Sequence, residues 1–184
     1  MPEFRHDTAR LTLRDWRADD WAAFWRVTNT PAVMRWLGGV MDEAGMAAAR
    51  ARVEAYNAEH GHTFWVVERR EDGVLLGFCG LKRSNQPGGP QGIMEVGWRL
   101  REDAWGQGYA REAAAASLDL AFDRFGEEEV IALTVERNTP SWGLMVRLGM
   151  ERRADLDFTS PDIDPEDPVI IVYSITREAW RAPA

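Results

Sequence analysis

A strand, a glycine-rich turn and a long helix follow one another between residues 93 and 125, and this succession constrains the fold most. The segment "IMEVGWRL" (93–100) predicts a strand, and "WGQGYA" (105–110) places two glycines one residue apart where a helix begins. That helix stops at Gly126 and has an apolar stripe at helical spacing: Ala110, Ala114, Leu118, Ala121 and Phe125. The helix therefore has one face to bury.

The remaining periodic segments predict a mixed sheet flanked by helices. Helices are expected from Asp19 or Asp20 (with Trp21, Phe24, Trp25 and Thr28 on one face), from about Asp42 to Ala58 (with Val53 and Tyr56 on its better apolar face), and from Thr139 to Gly149. Further strands are expected at 10–16, 63–69, 74–82, 130–136 and 169–175. Helices first, then strands with two later crossover helices, indicate an α/β (mixed α+β) fold. Without a repeat or linker, we expect one domain over 1–184.

Composition narrows the class of function. The net charge of −8 disfavours a nucleic-acid or anionic-membrane partner, because such sites need clustered Lys and Arg. Cys79 is the single cysteine, which excludes internal disulfides and cysteine-based metal clusters, and we expect no metal. The sequence has no apolar run of membrane-spanning length and no leader pattern, so we expect a cytoplasmic protein.

Three glycine-rich phosphate motifs compete for Gly106 and Gly108. A P-loop needs a Lys followed by Ser or Thr, which this chain lacks. The dinucleotide fingerprint needs a small residue where Arg111 stands. The pattern [RQ]-x-x-G-x-[GA] fits residues 105–110 except at Trp105, and it forms an anion-binding nest at a helix N-terminus. From these residues alone, a plain strand-to-helix turn remains an alternative.

Other segments carry a resemblance to a known family. The stretches "ARLTLRDWRADD" (9–20), "LLGFCGL" (75–81), "MEVGWRLREDAWGQGYAREA" (94–113) and "NTPSWGLMVRLGM" (138–150) occur in the order found in the GNAT superfamily of acyl-CoA-dependent N-acetyltransferases. The sequence most resembles the branch of bacterial ribosomal-protein N-terminal acetyltransferases, the RimJ/RimL type. In that branch Trp is common at the position of Trp105.

The resemblance implies a GNAT acyl-CoA N-acyltransferase fold, a mostly antiparallel mixed sheet of about seven strands flanked by helices. Two central parallel strands, containing Glu95 and Leu133, would splay apart to admit acetyl-CoA. Main-chain groups near Leu100 would receive the pantetheine arm, and the amides from Gly106 to Arg111 would hold the pyrophosphate. The implied cofactor-binding residues are Leu100, Trp105, Gly106, Gln107, Gly108, Tyr109, Ala110, Arg111, Asn138 and Ser141.

Glu95 is the candidate general base. Met94, Val96, Trp98 and Leu100 share one apolar face of the strand, so strand alternation turns Glu95 to the other face with Ile93, Gly97 and Arg99. On the family model that face borders the acceptor groove. The alternatives are a solvated carboxylate and an ion pair with Arg99.

The general acid is less obvious. Many GNAT enzymes have a Tyr one turn after the serine position, and here Met145 stands in its place. Tyr109 and Tyr173 are poorly placed substitutes. Ser141 is the remaining polar candidate near the thiol, although Asn138 and Ser141 also suit simple helix capping.

The acceptor is an amine, and three functions stay open. Holding an α-amino group neutral at pH 7 costs about 1 kcal/mol, against roughly 4–5 kcal/mol for a lysine side chain. This favours a protein N-terminus, with a small-molecule amine (polyamine, amino acid analogue or antibiotic) or a non-catalytic acyl-CoA-binding module as alternatives. The acidic stretch 155–167 is a candidate for recognising cationic acceptors. A monomer and a homodimer are both compatible with the sequence.

Overall fold

The computed structural model describes residues 3–160 and 168–182. Its strands are β1 (Arg5–Asp7), β2 (Leu11–Arg14), β3 (Phe64–Arg69), β4 (Leu75–Arg83), β5 (Met94–Leu100), β6 (Glu129–Val135), β7 (Glu151–Arg152), β8 (Phe158–Thr159) and β9 (Val169–Thr176). Its helices are α1 (Asp20–Thr28), α2 (Pro31–Met34), α3 (Glu43–His60), α4 (Tyr109–Asp123), α5 (Thr139–Arg147) and α6 (Arg177–Arg181).

The strands form a single mixed sheet, which confirms the fold class. Its order is β1-β2-β3-β4-β5-β6-β9-β7, and β8 also pairs with β9. Within the described residues every pairing is antiparallel except that between β5 and β6. The described residues contain nine strands against the seven or so expected, and the extra ones include β7 and β8, which have only two residues each. Strands this short show no alternation in sequence.

The sheet opens between its two parallel strands, as the resemblance implied. β5 and β6 pair only at Met94–Val130 and Glu95–Ile131. On its other side β5 keeps seven pairs with β4, from Met94 to Leu100. The strands therefore part beyond Glu95, and one edge of β5 is left facing a cleft.

Helix α4 covers one face of the sheet. Ala114, Leu118 and Ala121 of the expected stripe are fully buried, and the small alanines allow close approach to β4 and β5. Ala110 and Phe125 are only partly buried at the rim of this core. Helix α1 lies against β4 on the other face of the sheet, which is the face of Glu95.

The first helix begins at Asp20, one of its two expected start residues, but no acidic side chain caps it. Asp19 makes no capping hydrogen bond. Asp20 instead binds the Arg14 guanidinium at 2.7 and 2.9 Å, and Arg14 also reaches Glu68 at 2.9 Å. This buried network ties α1 to the sheet. Helix α3 has no fully buried residue, and even Val53 and Tyr56, on its expected apolar face, are only partly buried.

Candidate active site

A glycine turn joins the end of β5 to the start of α4. After a 3-10 turn at Glu102–Ala104, Gly106 and Gly108 have φ of 72° and 81°, in the left-handed region that favours glycine. Gly108 is the N-cap of α4, and a Cβ added at Gly106 would meet nothing within 4 Å. The amides of Tyr109, Ala110 and Arg111 belong to the first helical turn, where no intrahelical carbonyl can accept from them. The backbone thus forms a cradle for an anion.

Two side chains fix this turn. The Trp105 indole is 49% exposed, and its Nε1 donates to the Leu100 carbonyl at 2.9 Å. The Gln107 side-chain amide donates to the Asp103 carbonyl at 2.7 Å. The Leu100 carbonyl, where the pantetheine arm was expected, is therefore already a hydrogen-bond acceptor.

Arginines from the far edge of the sheet surround the start of α4. Arg10 donates to the Gln107 carbonyl at 3.0 Å, pairs with Glu112 at 2.7 Å and lies 4.5 Å over the Tyr109 ring. Arg10, Arg69 and Arg70 line a small pocket beside Tyr109. Sequence analysis missed this basic cluster, because its members lie about a hundred residues from the glycines or on another strand. Acids accompany it: Glu112 pairs with Arg10, Asp72 pairs with Arg69, and Glu71 lines the same pocket, so the cluster carries little net charge.

Glu95 lies where β5 and β6 part, and its side chain is buried. The residue is 6% exposed, and Lys82 on the neighbouring strand places Nζ 3.4 Å from Oε2. Burial raises the pKa of Glu95, and the positive charge of Lys82 opposes that rise. Of the two alternatives for this carboxylate, neither solvation nor a pair with Arg99 describes the structure, since the partner is Lys82.

Asn138 and Ser141 follow the other parallel strand. Asn138 is the N-cap of α5, but its side chain makes no capping bond and donates to Thr134 Oγ1 at 3.0 Å. Ser141 is half-buried in the first turn, where its N–H donates to the Asn138 carbonyl at 3.0 Å. Its hydroxyl has no hydrogen-bond partner within the described residues, so the capping alternative does not describe either side chain.

No tyrosine accompanies Ser141. Met145, at the position where many family members have Tyr, is 1% exposed and packed in the main core. Tyr173 packs against that core on β9 with Arg152 5.7 Å over its ring. Tyr109 lies beneath Arg10. Ser141 thus stands, with Thr139, among the hydroxyl residues at the start of the helix that follows the cleft-forming strand β6.

Residues 3–160 and 168–182 contain no group of three or more His, Cys, Asp or Glu side chains that could hold a metal ion. Among the same residues, no helix combines the length and apolar character needed to cross a membrane.

A sheet split between two parallel strands, with a glycine turn and a long helix after the first of them, is the arrangement that the resemblance to acyl-CoA-dependent acyltransferases implied. The family model of the acetyltransferase (GNAT) domain matches residues 10–151. The chain therefore belongs to the GNAT acetyltransferases, enzymes that use acetyl-CoA as the acyl donor and an amine as the acceptor.

Relatives and solved structures agree with this assignment. An uncharacterized N-acetyltransferase, YnaD of Bacillus subtilis, is 30% identical over 146 residues, which are 79% of this chain and 81% of YnaD. A GNAT-family acetyltransferase from Bacillus anthracis superposes with a TM-score of 0.76 at 25% identity, covering 95% of this chain and 99% of that one. A Vibrio cholerae protein, provisionally described as a ribosomal-protein-serine acetyltransferase, has a TM-score of 0.75 at 20% identity, covering 96% and 99%. This last likeness shows the fold alone.

Proposed function

We propose that the chain acetylates a primary amine, a protein N-terminal α-amine above all, in the cleft between β5 and β6. The observation that carries the proposal is the position of Glu95, a buried carboxylate at the point where the two strands part. The same strand ends at the glycine cradle. In this proposal the base therefore lies on β5, and the anion site lies at the turn that follows the same strand.

Acetyl-CoA supplies the acetyl group as a thioester. In our proposal the amides from Gly106 to Arg111 hold its pyrophosphate. Trp105 and the main chain at Leu100 border the pantetheine arm, and Asn138 and Ser141 border it from the β6 side. The fit rests on the open space above Gly106 and on the unpaired edge of β5.

The acceptor must lose a proton before it can attack the thioester. Its raised pKa makes Glu95 a stronger base than an exposed carboxylate, while the positive charge of Lys82 favours its ionised form. An α-amine needs only about 1 kcal/mol to be neutral at pH 7, so a weak base or a base acting through water suffices. A lysine acceptor would demand about 4–5 kcal/mol.

The leaving thiolate needs little help. For a thiol of ordinary pKa near 8.5, release as the anion costs about 2 kcal/mol at pH 7. The Ser141 hydroxyl would donate a hydrogen bond to the sulfur and supply part of this. A buried Met145 in place of a tyrosine is compatible with catalysis on these terms.

We assign the chain to the RimJ/RimL-type branch as part of the same proposal, acting in the cytoplasm as one domain over 1–184. Support comes from the quoted motifs, including Trp105. The acidic stretch 155–167 remains a candidate for acceptor recognition, although residues 161–167 lie outside the described part of the chain.

A thiol-release screen tests the proposed function. Purified protein and acetyl-CoA are mixed separately with short peptides bearing free α-amines, with the same peptides blocked at the N-terminus, with polyamines and with aminoglycosides. We expect release that depends on the free α-amine. Release with polyamines or aminoglycosides alone would assign a small-molecule acceptor, and binding of acetyl-CoA without release would assign a non-catalytic module.

A further inference from the structure

Arg99 stands on the same face of β5 as Glu95, four residues further along the strand. Its guanidinium carbon lies 5.5 Å over the Phe24 ring and 6.0 Å over the Trp25 ring, both in α1. It lies 5.3 Å over Phe78, the residue directly opposite on β4. Three aromatic rings therefore surround this cation on the acceptor side of the sheet.

Within residues 3–160 and 168–182 the guanidinium has no acid to pair with. Nε and Nη1 are enclosed and lack any hydrogen-bond partner. Within the described residues Nη2 also has none, yet it is not enclosed. Burial by itself lowers the pKa of Arg99 to about 10, with no carboxylate opposing the shift. Arg14, the other deeply placed arginine of the sheet, contrasts with it by binding Asp20 and Glu68.

A buried charge without a partner is unfavourable, and ring faces compensate only part of the lost hydration. Such an arrangement is typical of a site whose partner arrives with a ligand. Glu95, on the same face of β5, is paired with Lys82, and among the described residues no acid binds the donors of Arg99.

We propose that Arg99 binds a carboxylate of the acceptor, so that the enzyme selects amines that also carry an acidic group. The guanidinium fork can donate to a carboxylate from Nη2, the nitrogen that is not enclosed. The proposal rests on the proposed function, because it places the acceptor amine near Glu95. Four residues of extended strand separate the two positions by about 13 Å between Cα atoms, and the Phe64 ring lies over Gly97 between them, so an acceptor that reaches both crosses this ring.

The carboxylate has two sources that share this chemistry. One is an acidic side chain near the N-terminus of a peptide, and the other is the acid group of a small amino acid analogue. Matched pairs separate them: peptides with Asp or Asn, and Glu or Gln, at the second and third positions, and ω-amino acids of increasing length beside their amides. Each pair changes one carboxylate to a carboxamide and leaves the amine alone.

The test compares kcat/KM within each pair for the wild type, Arg99→Gln and Arg99→Lys. We expect the wild type to prefer one set of carboxylate acceptors by about 10- to 100-fold, the range given by a hydrogen bond to a charged group. In Arg99→Gln the preference should vanish through a higher KM for the acid, with kcat for the carboxamide retained. Arg99→Lys should keep part of it, since the charge remains and the fork is lost.

Arg50→Gln is the matched control. Arg50 also lies over a ring, 5.6 Å from Trp21, but its Nε already binds Glu54 at 2.7 Å. This variant should keep the wild-type preference. Equal kcat/KM for acid and amide in the wild type, or a preference that survives Arg99→Gln, would overturn the proposal and leave Arg99 a structural cation.

Failure of the two proposals is distinguishable. If no amine is acetylated, the proposed function fails, and Arg99 is then judged by calorimetric titration of the acetyl-CoA-loaded protein with glutarate. Binding by the wild type and by Arg50→Gln, with loss in Arg99→Gln, would support the carboxylate site. No binding by the wild type, or equal binding by Arg99→Gln, would overturn it.

Discussion

Replacing Gly108 by alanine tests the cradle at the start of α4. The residue has φ +81°, and a side chain in that left-handed conformation is disfavoured by about 1–2 kcal/mol. The added Cβ meets only the tip of the Arg10 side chain, at 3.3 Å, which can move aside. Backbone strain therefore dominates, and for a chain of this size we expect the Tm to fall by about 2–8 °C. Relief of that strain would turn the amides of the first helical turn away from the bound phosphates.

Isothermal titration with acetyl-CoA measures that second effect. Misaligning one hydrogen bond to a charged phosphate removes about 1.5–3 kcal/mol, so the Kd should rise at least tenfold. Gly126→Ala is the matched control, because Gly126 has φ +73°, meets nothing within 4 Å and lies just past the other end of α4. It should lower the Tm similarly and leave the Kd unchanged. Equal Kd values for the two variants would refute the assignment of the cradle.

Three other predictions follow from the site and its support. Glu95→Gln should lower kcat about 10²- to 10⁴-fold and remove the acidic limb of the pH–rate profile. In the wild type this limb should lie at higher pH than the pKa of an ordinary Glu, because burial raises the pKa of Glu95. An unchanged profile would exclude Glu95 as the base. Arg14→Met should destabilise the fold by about 3 kcal/mol in urea at pH 7, because two carboxylates lose their partner. Although burial raises it, the Arg14 hydrogen bonds hold the pKa of Asp20 below its usual value, so this contribution should fade as the pH falls below about 4; a constant difference between wild type and variant would contradict the network. Trp105→Phe removes the bond to the Leu100 carbonyl and should weaken acetyl-CoA binding about threefold to tenfold by calorimetry, and an unchanged Kd would show that this bond does not order the turn.

Local patterns in the sequence predicted much of the fold. Alternation predicted the central strands, and the alanine stripe with Gly126 predicted α4, because both signals lie within one continuous segment. The glycine pair predicted the turn at Gly106 and Gly108, where positive φ is required. The two-residue strands β7 and β8 were not predicted, because they form only by pairing with β9 and have no sequence pattern of their own.

The side-chain partners in the site were beyond the sequence. Glu95 meets Lys82 because β4 and β5 pair in one register, and no spacing along the chain reveals that register. Arg99 meets α1 only once that helix has crossed the sheet. Alternation did place both residues on one face, and that part of the site was predictable.

If the buried Glu95 and the cleft beside it serve acetyl transfer to an α-amine, a peptide incubated with the protein and acetyl-CoA should gain its acetyl group there. Mass spectrometry with fragmentation locates the added group. We expect a single acetyl group on the N-terminal nitrogen in the wild type, and a strongly reduced yield with Glu95→Gln. Acetyl-CoA binding with no acetylated amine, or equal yields from both proteins, would contradict this expectation.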